Sequence, residues 1–139
     1  MGDRLEGSAL ASKIPDDLWY TRDHLWLRME DGMAIIGLTD HAQGALGEVV
    51  GIELPEKGAS CDVAEEVGVV ESTSTSVEVL SPVSGRVLEV NRRLERMPHL
   101  INRDPYGMGW LARIRVADPR ELDELLDPED YCHVLNDAH

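Results

Sequence analysis

Residues 69–91 read VVESTSTSVEVLSPVSGRVLEVN, and this stretch determines the expected fold. Its two arms are rich in valine, which favours strands, and between them lies a run of five small hydroxyl residues at 72–76. Such a run has little apolar surface to bury, so we expect the arms to pair as a β-hairpin with Ser74 exposed at its tip. The turn PVSG (82–85) then leads the chain into a further strand.

Short strands with turn signals flank this hairpin on both sides. LWLRM, MAIIGL and EVVGIEL precede it, and WLARIRV follows it with alternating apolar and charged positions. We predict a short helix capped by Asp40, a loop over 91–108, and C-terminal helices between 119 and 135 that begin at the pairs Asp-Pro. The fold class is therefore mainly β, a small flattened barrel or sandwich of antiparallel sheets with a short helix and C-terminal helices.

Length and charge exclude several classes of function. A chain of 139 residues corresponds to one domain, and its formal net charge of −14 repels nucleic-acid backbones and anionic membrane surfaces. No stretch resembles a signal peptide or is long enough to cross a bilayer, and the two isolated cysteines are expected to be reduced. We therefore expect a cytoplasmic protein without nucleic-acid or membrane partners.

Neither a metal site nor a catalytic nucleophile is indicated. The five histidines and two cysteines show no C-x-x-C or H-x-x-x-H spacing, so we predict no metal. The hydroxyl run at 72–76 lacks the G-x-S-x-G elbow and a sequence-defined base, which leaves an enzyme acting through this tip as the least favoured alternative. Phosphorylation of the same run stays an open alternative, because nothing in the sequence argues for it or against it.

Five segments together resemble the H-protein of the glycine cleavage system, in that family's order and at its spacing. They are YTRDHLW (20–26), GLTDHAQGALGEVVGIELPEKG (37–58), VVESTSTSVEVLSPVSGRVLEVN (69–91), LINRDPYGMGWL (100–111) and ELDELLDPEDY (121–131). The resemblance implies a lipoyl-type domain over 14–135, with flexible tails at 1–13 and 136–139. It also implies a non-catalytic role in glycine catabolism, with glycine decarboxylase, aminomethyltransferase, dihydrolipoyl dehydrogenase or lipoate-handling enzymes as partners.

The resemblance fails at the residue that carries the family's cofactor. That family attaches lipoate to a lysine at the hairpin tip, in a pattern E-S-x-K followed four residues later by an acid. Here the flanking recognition residues Glu71 and Glu78 are present, but Ser74 occupies the lysine's position. A serine hydroxyl cannot form the lipoyl amide, so we expect no cofactor on the chain as it stands. The chain's two lysines are interpreted as a tail residue and a solvated turn residue, Lys13 and Lys57.

Two further positions depart from the family pattern. The family's segment H-E-W contributes a glutamate that helps to hold an amine in a surface cleft, whereas this chain places Leu25 after His24. The family also commonly has Phe where this chain has Gly51. Three changes around one function favour an H-protein-like binding or regulatory module that is not lipoylated. The alternative is a genuine lipoyl-carrier H-protein of glycine decarboxylation whose attachment lysine was substituted at Ser74.

Overall fold

The computed structural model describes residues 12–137 and arranges them in two antiparallel sheets with short helices at their margins. The strands are β1 (Trp19–Tyr20), β2 (Leu25–Glu30), β3 (Met33–Leu38), β4 (Val49–Glu53), β5 (Ser60–Cys61), β6 (Glu66–Ser72), β7 (Ser76–Leu80), β8 (Gly85–Val90) and β9 (Ala112–Val116). The helices are α1 (Asp40–Leu46), α2 (Arg93–Arg96), α3 (Leu100–Arg103) and α4 (Pro128–Asp137), with a 3₁₀ helix at Pro119–Glu124.

The sheets form a sandwich with open edges. The larger sheet has the order β1-β2-β3-β9-β8-β5, and the smaller has the order β4-β6-β7. Side chains of both sheets, among them Ile36 and Ile114 from the larger and Val70 and Val79 from the smaller, share one buried core. The predicted mainly β class is confirmed, and of the two predicted forms the sandwich applies, because neither sheet closes on itself.

A second apolar cluster covers the other face of the larger sheet. Trp26 and Ile35 project from β2 and β3 into this cluster, where they join Tyr20 and the two helix residues Tyr131 and Leu135. Neighbouring residues of β2 enter the first core instead, as the two-residue period of a strand requires. The C-terminal helix α4 is therefore part of the folded domain, and it extends to Asp137, two residues beyond the predicted domain boundary.

Helix α1 is capped one residue earlier than predicted. The N-cap is Thr39, whose hydroxyl accepts a hydrogen bond from the Ala42 amide at 3.2 Å. Asp40 is instead the first helical residue and accepts from the Gln43 side chain at 2.9 Å. Both residue types cap helices well, and Thr39 takes the position because it has the extended backbone of the residue that leaves β3.

The predicted loop at 91–108 is wrong, because this segment contains α2 and α3. Each helix has four residues, which is too short to show an apolar period in the sequence. Each places one fully buried side chain in the core, Leu94 and Ile101. The predicted start at Asp118 is confirmed, although the turn that follows is a 3₁₀ helix. No helix in the described part of the chain is long and apolar enough to cross a membrane.

Candidate functional site

The hairpin tip is a tight turn closed by a serine hydroxyl. Ser74 is exposed between β6 and β7, as predicted. Ser72, by contrast, is only 8% exposed, and its amide donates to the Thr75 carbonyl at 2.7 Å. Its hydroxyl accepts from the amides of Ser74 and Thr75 at 3.3 and 3.2 Å and donates to the Thr75 carbonyl at 3.1 Å. The tip is therefore ordered by its own polar atoms and presents residue 74 to solvent.

We expect Ser72→Ala to loosen this turn while the sheets stay intact. The variant loses the hydroxyl to which two amides donate, and such a loss costs roughly 1–2 kcal/mol locally. Amide hydrogen exchange at Ser74 and Thr75 should accelerate by about tenfold, with no change in the core strands. Ser76→Ala, which removes an exposed hydroxyl beyond the turn, is the matched control. Unchanged exchange at Thr75 in Ser72→Ala would show that the backbone alone holds the turn.

A surface cleft of about 340 Å³ opens beside the tip. Four elements form its walls: the segment that leads into β2, the end of β3, helix α1, and β7 with the residue before it. Much of its lining is apolar, namely Leu25, Leu38, Ala42, Ala45, Leu46, Val77 and Leu80. Its polar lining consists of Asp23, His24, His41, Thr75, Ser76 and Glu78. The family resemblance associates His24 and Leu25 with a cleft, and both residues line this one.

His24 lies in the cleft with an unusual backbone. Its φ of 67° is in the left-handed region, and its amide and carbonyl are bound to Thr21 and Thr39, respectively. Its ring packs against His41 at 4.7 Å between centroids. Burial, and secondarily the neighbouring imidazole of His41, lower the pKa of His24. At neutral pH this site therefore presents an uncharged imidazole.

Leu25 has two roles that the sequence did not reveal together. It lines the cleft, yet it is only 2% exposed and belongs to the main core. It pairs with Leu38 across β2 and β3, so both leucines form the cleft floor. The position at which the family is expected to have a carboxylate is, in this chain, an apolar floor of the cleft.

Glu71 and Glu78 flank the tip on the exposed side of the smaller sheet. The Glu71 carboxylate lies against Gly51, where a Cβ would stand 2.9 Å from its Oε1 atom, so a larger residue at 51 would displace it. Glu78 lines the cleft and shares a hydrogen bond with Glu66, which raises the pKa of Glu66. The recognition roles assigned to Glu71 and Glu78 stay a prediction.

Neither lysine stands at the tip. Val49 pairs with Ser72 near the tip and Glu53 pairs with Val69 farther away, so the chain beyond β4 carries Lys57 away from Ser74. Lys13 is anchored by its amide to the Asp40 carboxylate at 2.9 Å, outside the hairpin. Lipoate is joined to its carrier through an amide with a primary amine. The hydroxyl-only tip therefore does not fit this cofactor.

Comparisons with known proteins identify the family. The family model for glycine cleavage H-proteins matches residues 18–138. This chain belongs to the glycine cleavage H-protein family. An H-protein from Thermus thermophilus is 48% identical over 122 residues, covering 88% of this chain and 95% of that one. One from Carboxydothermus hydrogenoformans is 44% identical over 126 residues, covering 91% and 97%.

A crystal structure of the H-protein from Mycobacterium marinum supports the same relationship. It is 37% identical, superimposes with a TM-score of 0.80 and covers 86% of this chain and 97% of its own. H-proteins are lipoate-bearing carriers and not enzymes, so the family confirms the prediction of a non-catalytic protein. In the described residues, no group of three or more His, Cys, Asp or Glu side chains is placed to hold a metal ion.

Proposed function

We propose that this chain is an H-protein-type carrier framework of glycine decarboxylation whose attachment position is substituted by Ser74. The observation that carries the proposal is the ordered tip beside an open cleft, both of which are present although the tip has no amine. Relatives at 44–48% identity that are named H-proteins support the carrier framework over the regulatory interpretation. As the sequence stands, the chain carries no lipoate at residue 74.

A second candidate function is a binding module that docks on the same enzymes without an arm. The absence of an amine at the tip favours it, as does the buried Leu25 at the expected carboxylate position. In both functions the partners are glycine decarboxylase, aminomethyltransferase and dihydrolipoyl dehydrogenase, or lipoate-handling enzymes. The net charge of −14 argues against nucleic acid, and the bacterial relatives support a cytoplasmic location.

Reconstituted glycine cleavage distinguishes the two functions. The assay combines the three partner enzymes from a bacterium with the lipoylated Ser74→Lys variant. We expect this variant to support glycine-dependent NADH formation, and we expect the unmodified wild-type chain not to support it. The wild type, added in excess over the loaded variant, should lower the rate by competing for the same docking surfaces. If the loaded variant supports no turnover but the wild type inhibits the rate that the bacterium's own H-protein supports, the binding module is selected instead. If the loaded variant supports no turnover and the wild type causes no inhibition, both functions are excluded.

A further inference from the structure

An arginine-rich surface lies on the face of the larger sheet that points away from the smaller sheet. Arg113 and Arg115 alternate along β9 with Ala112 and Ile114, whose side chains are buried in the main core. Because successive side chains of a strand point to opposite faces, both arginines are on the outer face. On the neighbouring strand β8, Arg86 is directly opposite Arg115 and therefore shares that face.

The surface continues from β9 through two large apolar side chains to helix α2. The guanidinium carbon of Arg113 lies 5.1 Å from the centre of the Trp110 ring. Arg93, on α2, contacts the exposed side chain of Met108, with 3.6 Å between Nη1 and Sδ. Asn91 Nδ2 donates to the carbonyls of Met108 and Trp110, which fixes these two residues side by side. We call this set the arginine surface: Arg86, Arg93, Arg113, Arg115, Met108 and Trp110.

The protein neutralises the arginine surface only in part. Residues 86–115 contain seven arginines and three acids, whereas the whole chain has a formal net charge of −14. Within the residues that the structure describes, Arg113 is the one member of the arginine surface that forms an ion pair, at 3.4 Å from Glu89. The arginine surface is therefore a locally positive region on an acidic protein.

Arg86 and Arg115 are exposed side chains that stand opposite each other. They line a depression of about 370 Å³ together with Asp62, but Asp62 forms no ion pair with either guanidinium group. Like charges directly opposite each other on neighbouring strands destabilise a sheet. The free protein therefore retains a repulsion that a carboxylate bound in this depression would relieve.

We propose that the arginine surface docks a flexible, acidic segment of a partner protein, in which carboxylates flank apolar side chains. The guanidinium groups of Arg86 and Arg115 bind carboxylates through charge-assisted hydrogen bonds, and Met108 and Trp110 contact the apolar side chains. Arginine, methionine and tryptophan are the residue types that protein interfaces favour over the rest of the surface. Because the outer face of the larger sheet points away from the hairpin tip, the inference goes beyond the proposed function.

Charge favours a short acidic segment over a nucleic acid or a second copy of the chain. A nucleic acid carries phosphates along its whole length, so it would also meet the acids outside residues 86–115. A second copy would bring another net charge of −14 to the first. A short segment approaches the arginine surface alone, and acids farther away than about 8 Å are largely screened at physiological ionic strength.

Fluorescence anisotropy with the full chain measures this binding. The probe is a labelled peptide made of Glu-Glu-Leu repeats, and the matched neutral probe is made of Gln-Gln-Leu repeats. We expect the acidic probe to bind with an affinity that falls as salt is added, and the neutral probe not to bind. Arg115→Gln and Arg86→Gln should each weaken binding by about three- to fivefold, as expected for one exposed ion pair. Arg22→Gln removes an exposed arginine before β2 and should leave binding unchanged.

The thermal stability of Arg115→Gln separates a docking role from a structural one. Removing one of two opposed like charges should leave the Tm unchanged or raise it, whereas the loss of a residue that stabilises the sheet would lower it. A lowered Tm, equal binding of the neutral probe, an equal loss in Arg22→Gln or no binding at all would overturn the proposal.

Two further results would overturn the proposal in favour of another occupant. Tighter binding of an oligothymidine than of the acidic probe would select a nucleic acid. A dimer of the free chain that Arg115→Gln dissociates would select a second copy. No glycine-cleavage enzyme is present and the hairpin tip is unchanged, so each of these failures leaves the proposed function intact.

Discussion

Replacing Ser74 with lysine is expected to convert a chain that a lipoate–protein ligase leaves unmodified into one that it modifies almost completely. The wild-type tip already has the exposed, ordered turn that presents residue 74, and the acids Glu71 and Glu78 flank it. What it lacks is the primary amine that forms the amide. Intact-mass spectrometry after incubation with ligase, lipoate and ATP measures the result.

Position within the tip is tested by a second lysine variant. Ser76→Lys places an amine two residues away, at the start of β7, where it is exposed but outside the turn closed by Ser72. We expect modification at least tenfold slower than that of Ser74→Lys. A lipoyl-sized mass increase on the wild type that maps to Lys57 or Lys13 would contradict the expectation that this chain carries no cofactor as it stands. Equal modification of both variants would mean that the ligase does not require the turn.

Leu25→Glu is expected to be among the most destabilising single changes at the site. Leu25 is 2% exposed in the main core, and a carboxylate there must be buried or protonated. We expect a loss of roughly 3 kcal/mol in the free energy of unfolding, or about 10 °C in Tm. The measurement is urea and thermal unfolding near neutral pH, where the carboxylate cost is largest.

Leu25→Met serves as the control, because it conserves volume and adds no charge. Its cost should stay below about 1.5 kcal/mol. A loss of less than 1 kcal/mol for Leu25→Glu would show that the cleft admits enough water to accept a carboxylate at residue 25. In that case Leu25 would be ordinary variation within the H-protein family, and the binding-module function would lose its support from this position.

The strands and the tip were predictable because their signals are local. Each of these signals depends on only a few neighbouring residues. They are the period-two alternation, the valine-rich arms of the central hairpin and the hydroxyl run at 72–76. The prediction failed where packing replaces a local signal. The buried side chains of Leu94 and Ile101 stabilise two single-turn helices in a segment that the sequence predicts to be a loop. Thr39 caps α1 because it directly follows strand β3 and has an extended backbone.

The amino-acid sequence by itself determined the family, the mainly β class, the exposed hairpin tip and the absence of an attachment amine at Ser74, since each of these is encoded by residue type and spacing. Only the tertiary structure decided that Leu25 is both core and cleft floor and that Tyr131 contacts His24. Tyr131 and His24 are 107 positions apart in the sequence. They are in contact because α4 packs across the larger sheet. A hydrogen-bond network between distant elements has no periodic signature, so it becomes visible only after the chain has folded.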